Sequence, residues 1–280
     1  PQPGRGGLAM HPAWLSVHRG EAPLLVSIPH AGTAIPPAIG NQLASAACAR
    51  LDTDWWIEKL YDFAAGLGAT VIRTDISRTV IDVNRDPSGR SLYPGQATTE
   101  LCPLTTFDGE PLYAAGAEPT REEVEVRRWS YFEPYHAALA AELARLRARH
   151  PRVVLYDCHS IRSIIPRLFD GLLPNFNIGS YGGLSCDPDL VMRIARLCAE
   201  PFTHVVDGRF RGGWITRHYG RPADGVHAVQ MELACRTYLT RDPEQARPET
   251  WPVEYEPGAA EPARRILTTI LSACIDFAKP

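Results

Sequence analysis

Apolar positions fall in short runs separated by Gly, Pro and charged residues. Pro23 to Ile28 is a short, mostly apolar run that stops at Pro29-His30-Ala31-Gly32, which predicts a buried strand ending abruptly in a loop, with His30 just past its carboxyl end. From Asp54 to Leu67 the apolar residues Ile57, Leu60, Tyr61, Ala64 and Leu67 recur with helical spacing, and Asp52-Thr53-Asp54 stands where carboxylates cap a helix. Ala69 to Arg73 and Thr79 to Val83 have the pattern of strands. Asn84 to Pro119, rich in Gly, Pro and Thr, is too long for an ordinary connection and is expected to be a functional loop. Arg121 to His150 carries Val124, Val126, Trp129, Phe132, Tyr135, Leu139, Leu143 and Leu146 at helical intervals, as one long helix or two consecutive ones interrupted at Pro134. Arg152 to Tyr156 is a predicted strand followed at once by Asp157-Cys158-His159-Ser160, so a strand leading into a histidine occurs twice. A helix over Asp187 to Ala199, a strand over Phe202 to Val206 and a polar loop over Asp207 to Gly225 follow. A strand over Val226 to Leu233 bears Glu232, and an amphipathic helix over Ala260 to Phe277 completes the series.

Strands that alternate with helices predict an α/β fold, a three-layer α/β/α sandwich around a central mixed, largely parallel sheet. Ligands of such sheets sit outside the carboxyl ends of the strands. His30, His159 and the Asn84-Arg85 pair are all expected there, with Glu232 in or at the end of the last strand. No repeat or linker-like composition divides the chain, so residues 10–280 are expected to form one domain. Residues 1–9, which precede Met10 without a signal-like apolar region, are read as an extension.

Composition narrows the partners. In 280 residues, 29 Lys and Arg oppose 32 Asp and Glu, so no basic field exists to hold a nucleic acid or an anionic membrane. The longest apolar runs fall well below the roughly 20 residues of a membrane span. Seven cysteines without a C-x-x-C pair fit neither a disulfide framework nor a structural zinc module. A cytoplasmic protein with thiols in its core, monomeric or a small homo-oligomer, is expected.

The candidate chemistry lies at the strand ends. His30, His159, Asp52 or Asp54, and Glu232 are the ingredients of a mononuclear zinc hydrolase: two imidazoles, a carboxylate ligand and a second carboxylate for proton transfer. They form no compact H-E-x-x-H pattern. The competing interpretation has the histidines bonded to backbone and the aspartates capping a helix. Ser77-Arg78-Thr79-Val80-Ile81-Asp82-Val83-Asn84-Arg85 places an Arg before an apolar run and an Asn-Arg pair after it. Guanidinium groups grip carboxylates in a planar fork, so a small acidic substrate is suggested unless each Arg pairs with Asp75, Asp82 or Asp86. Cys158 beside His159 does not make a catalytic pair, because neighbouring side chains on an extended strand diverge. Ser180 lacks the first glycine of a nucleophile elbow.

The segments Ser27-Ile-Pro-His-Ala-Gly32, Asp52-Thr-Asp-Trp55, Ser77 to Arg85, Leu92-Tyr-Pro-Gly-Gln96, Tyr156-Asp-Cys-His-Ser160 and Val229-Gln-Met-Glu232, in that order, resemble the N-formylglutamate amidohydrolases, the deformylases of bacterial histidine degradation. That family is similar to zinc carboxypeptidases and aspartoacylases. The resemblance implies one zinc ion held by His30 and His159, substrate carboxylates held by Asn84, Arg85 and Arg78, and Glu232 as the base that activates water. It also implies Arg78, Arg217 or His218 as groups that offset developing oxyanion charge or bind substrate, with a second carboxylate clamp expected from the 209–217 loop. Where the relatives carry a Glu three residues after the first His, this chain has Thr33, so the carboxylate ligand must come from Asp54 or Asp52, of which Asp54 is preferred. The implied reaction is removal of formyl from N-formyl-L-glutamate. The alternatives are another N-acyl acidic amino acid as substrate, or a protein that binds acidic metabolites without turning them over.

Overall fold

A computed structural model describes residues 11–198 and 200–279. The expected extension at 1–9 lies outside the described residues. In chain order the elements are β1 (Leu15–His18), β2 (Leu24–Ile28), α1 (Pro37–Gly40), α2 (Ile57–Leu60), β3 (Thr70–Thr74), α3 (Arg121–Arg127), α4 (Glu133–Arg147), β4 (Val153–Ile161), β5 (Phe176–Gly179), α5 (Pro188–Leu197), β6 (His204–Val206), α6 (Trp214–Tyr219), β7 (Val226–Ala234) and α7 (Pro257–Ala278). The seven strands form one sheet in the order β1-β3-β2-β4-β7-β5-β6. Pairing is parallel for β3–β2, β2–β4, β4–β7 and β5–β6, and antiparallel for β1–β3 and β5–β7, so the sheet is mixed and largely parallel.

Alternation along the central strands feeds two cores. Val154, Tyr156 and Cys158 of β4 and Val229, Met231 and Leu233 of β7 face a cluster closed by Leu190 and Ile194 of α5 and by Leu267, Ile270, Leu271 and Cys274 of α7. Val153, Leu155, Leu25, Ile72 and Ala228 face the opposite cluster, closed by Tyr135, Leu139, Leu143 and Leu146 of α4. Helices thus cover both faces, as three layers. Among the described residues no helix is long and apolar enough to cross a membrane.

Toward the carboxyl ends of the strands, the α4 face changes character. Beyond Leu25, Leu155 and Ala228 the same face carries Ser27, Asp157, His159, Gln230 and Glu232, all buried. Ser27 is in register with Asp157, Asp157 with Gln230, and His159 with Glu232. Burying five polar side chains side by side is costly unless they are mutually bonded or bind a ligand, and this polar floor is where the site forms.

Several local expectations are corrected. Thr79 to Val83 is not a strand but a buried turn-rich segment: Val80, Ile81 and Val83 join the α4-side core, while the carbonyls of Val80 and Val83 are taken by Arg127 Nη1 and His136 Nε2 rather than by a neighbouring strand. The helix expected over 54–67 shrinks to α2 and a following 3-10 turn, Asp62–Leu67, because neither aspartate caps it and Trp56 enters at φ 64°. β4 runs on to Ile161, so His159 lies within the strand rather than after it. The 121–150 helix is divided by a π-helical turn at Arg128–Phe132 immediately before Pro134, whose missing N–H cannot continue the ladder. α6 interrupts the loop expected over 207–225, and the short strands β1 and β5 had no expectation. Six of the seven cysteines are buried and Cys48 is partly so.

Candidate active site

His30, Asp54 and His159 converge at the carboxyl ends of β2 and β4, with one donor atom of each within 4.8 Å of the others. The backbone contributes to this placement: the Asp54 N–H donates to the His30 carbonyl at 3.0 Å, bringing the loop after β2 against the residues before α2. Asp54 Oδ2 also accepts from the Ser160 N–H at 3.2 Å, which ties the carboxylate to β4. Asp52, the alternative ligand, lies elsewhere: its Oδ2 accepts from the Phe107 N–H at 2.7 Å.

Both imidazoles are held in the same way. His30 Nε2 is 2.7 Å from Asp82 Oδ1 and His159 Nε2 is 2.8 Å from Asp157 Oδ2, so each ring uses Nε2–H on a buried carboxylate and turns Nδ1 toward Asp54. The Nδ1 atoms stand 3.6 Å and 3.1 Å from Asp54 Oδ2. His30 Nδ1 is buried and has no hydrogen-bond partner among the described residues. Ligands at about 2.0–2.1 Å from a tetrahedral ion are about 3.3 Å apart, a spacing these two separations bracket. A carboxylate behind a ligating histidine fixes its tautomer and raises its basicity. Asp82 and Asp157 hold those positions, and sequence reasoning missed both.

Charge supports the same assignment. Burial alone would raise the pKa of Asp54, but the facing rings of His30 and His159 outweigh it and hold the carboxyl well below the usual range. Asp82 is likewise held low, with burial overcome by Arg85, His30 and Arg78. Burial disfavours the imidazolium of His159, yet Asp157 pulls its pKa well above the ordinary value. The cluster is short of positive charge, and a divalent cation between the three donors would supply it. The residues fit a metal ion.

The cavity above the triad is lined by His30, Arg78, Asn84, Arg85, His159 and Glu232, with Tyr93, Phe107, Leu168, Arg209 and Phe210 around its mouth and walls. Its volume is ≈ 570 Å³ including the solvent at its opening. Glu232 is 7% exposed. Burial, only partly offset by His159, raises its pKa to about 8. Gln230 orients it: Gln230 Oε1 accepts from the Gly213 N–H at 2.8 Å, leaving Nε2 to donate to Glu232 Oε2 at 3.4 Å.

The start of α6 grips Asn84. The Trp214 N–H donates to the Asn84 carbonyl at 3.2 Å and the Ile215 N–H to Asn84 Oδ1 at 2.8 Å, while Asn84 Nδ2 stands 3.0 Å from His159 Nε2 and donates to Asp157 Oδ2 at 3.3 Å. This approach requires glycine at 213, because a Cβ there would lie 2.3 Å from Asn84 Nδ2. Arg78 spans Asp54 and Asp82 at 3.4 Å and 2.8 Å, and Arg85 reaches Asp82 at 3.6 Å and the Thr99 hydroxyl at 3.1 Å. Two expected groups stand outside the cavity lining. Arg217 donates to the carbonyls of Gly212 and Leu92 and lies over the ring of Tyr93, a lining residue, and His218 stacks on Trp214. Arg209 occupies the cavity instead.

A family model described as N-formylglutamate amidohydrolase matches residues 22–239. The chain is 47% identical over 263 residues to the N-formylglutamate deformylase of Pseudomonas putida, covering 93% of this chain and 95% of that protein. It is 46% identical over 267 residues to the deformylase of Pseudomonas aeruginosa, covering 95% and 97%. Among solved structures, the N-formylglutamate amidohydrolase of Ralstonia eutropha superposes with a TM-score of 0.77 at 23% identity over 95% of this chain and 98% of that one. A gene product of Agrobacterium tumefaciens gives 0.66 at 18% identity over 94% of each. At these identities the two structures speak for the fold.

Proposed function

The chain belongs to the N-formylglutamate amidohydrolase family, and from that premise we propose that it hydrolyses the formyl amide of N-formyl-L-glutamate to formate and L-glutamate, as a cytoplasmic step of bacterial histidine degradation. The observation that carries the proposal is one cavity lined by His30 and His159, whose Nδ1 atoms meet the buried Asp54, together with the buried carboxyl of Glu232 and several guanidinium groups. That set matches a neutral amide flanked by carboxylates.

We assign zinc to the triad; when bound, the ion supplies Lewis acidity to the formyl oxygen and to a water. The remaining work falls to the chain. Arg85, with the Asn84 amide beside it, takes the substrate carboxylate next to the scissile amide and so fixes the formyl carbon over the triad. Glu232 accepts the proton of the attacking water, whose oxygen bonds to the formyl carbon. Arg78, buried and cationic, offsets negative charge growing on the formyl oxygen. Glu232 then passes its proton to the amide nitrogen, the C–N bond breaks, and formate leaves. A proton affinity near the working pH suits a group that must both accept and return a proton.

The test is formate release by the purified, metal-loaded enzyme from N-formyl-L-glutamate, N-acetyl-L-aspartate and N-succinyl-L-glutamate, with amine release followed for the latter two. The largest kcat/KM is expected for N-formyl-L-glutamate. Faster turnover of either of the others would move the assignment to another N-acyl acidic amino acid.

A further inference from the structure

We propose that Arg209 is the specificity-determining residue that receives the side-chain carboxylate of the substrate, which makes the site selective for acidic over neutral N-formyl amino acids. The inference rests on the function proposed above and goes beyond it by assigning the second carboxylate.

Three guanidinium groups line the cavity, and they differ in what already neutralises them. Arg78 bonds two carboxylates and Arg85 lies against Asp82. Arg209 has no acidic partner within ion-pair distance among the described residues. Its Nε donates to the Leu168 carbonyl at 2.8 Å and its Nη2 to the Ala97 carbonyl at 2.9 Å, and both acceptors are neutral. Among the described residues no hydrogen bond engages Nη1. The guanidinium is also held between the rings of Tyr93 and Phe210, with centroids 5.3 Å and 5.2 Å away. Backbone carbonyls and aromatic faces fix the plane of the group without cancelling its charge, so the fork is preorganised for an anion.

The surroundings indicate which anion. Arg209 is half-buried and feels the repulsion of Arg85 across the same cavity, with Glu232 attracting it from beyond ion-pair distance. Two like charges facing one cavity are stabilised together by a dianion. With Arg85 on the carboxylate beside the scissile amide, Arg209 meets the one at the end of the side chain. Phe107, Ile161, Leu168 and Phe210 supply apolar wall for the intervening methylenes.

The test compares N-formyl-L-glutamate with its neutral isostere N-formyl-L-glutamine, using metal-loaded wild type, Arg209→Gln and Arg209→Lys. The ratio of kcat/KM for the acidic over the neutral substrate should fall by about 10- to 100-fold in Arg209→Gln, the worth of a hydrogen bond to a charged group, and the loss should lie mainly in KM. Arg209→Lys, which keeps the charge, should restore much of the ratio. Because the ratio is internal to each preparation, a general loss of folded protein leaves it unmoved. Wild type that prefers N-formyl-L-glutamate together with an unchanged ratio in Arg209→Gln would overturn this inference alone. Wild type that fails to cleave N-formyl-L-glutamate would overturn the proposed function, and the inference with it.

Discussion

His136 links the site to the acid stability of the fold. It lies on α4 beneath the sheet, with Nε2 2.8 Å from the Val83 carbonyl and Nδ1 2.9 Å from the Tyr219 hydroxyl, between the rings of Phe132 and Tyr219. The neutral imidazole satisfies both contacts: Nε2–H donates to Val83, and Nδ1 accepts from the Tyr219 hydroxyl, whose proton is shared with the His136 carbonyl at 3.1 Å. It therefore joins the residue before Asn84 to the end of α6, whose first turn grips Asn84. Burial pushes its pKa down to about 4 from the ordinary 6.5, against the opposing bond to Val83. Below pH 6.5 the unfolded chain takes up a proton that the folded chain refuses until about pH 4. The unfolded state thus binds more protons in that window, and stability, complete above pH 6.5, is lost as pH falls to 4 and then levels. A pKa difference of about 2.5 corresponds to about 3 kcal/mol. Urea unfolding at pH 7 and pH 4, with chelator present throughout, measures the loss in wild type and in His136→Gln. Other groups titrate in both proteins, so the loss should be smaller in the variant by about 3 kcal/mol. Equal losses would refute the buried neutral imidazole.

Three further outcomes are expected. His30→Ala or His159→Ala loses bound metal in elemental analysis, and full stoichiometry in both would remove the ligand assignment. Asp82→Asn and Asp157→Asn weaken metal affinity by about 10- to 100-fold in a chelator competition, since each supports a ligating ring from behind; unchanged affinity would make them bystanders. Gly213→Ala, which forces a Cβ into the Asn84 amide, should depress kcat/KM for N-formyl-L-glutamate while leaving far-UV circular dichroism intact, and wild-type kinetics would show that the Asn84–α6 contact has no role in the site.

How much of this was legible depended on whether a residue's role was local. His30, His159 and Glu232 could be placed because each follows or lies in an apolar run, and the resemblance then implied their roles. Asp157 is adjacent to those signals, yet a single acidic residue beside a predicted strand end reads as a surface group. Ending the strand at Tyr156 concealed the alternation that puts Asp157 and His159 on one face opposite Gln230 and Glu232. Asp82 fell inside a segment whose Val-Ile-x-Val pattern imitates a strand, although its backbone carbonyls are satisfied by Arg127 and His136 from distant helices. Nothing local announces such partners. Arg217 and His218 lie on α6, a six-residue helix hidden in a polar loop, and do not line the cavity, whereas Arg209, before the helix, does. The fold class survived these errors because the central strands and the helices over them carry periodic patterns long enough to be read.

The central claim is that Glu232 moves the proton in a metal-assisted hydrolysis of N-formyl-L-glutamate. Its most direct test is the turnover of that substrate by Glu232→Gln, prepared with the metal content of wild type. We expect kcat lower by about 10²- to 10⁴-fold with metal retained; turnover equal to wild type would exclude Glu232 as the base.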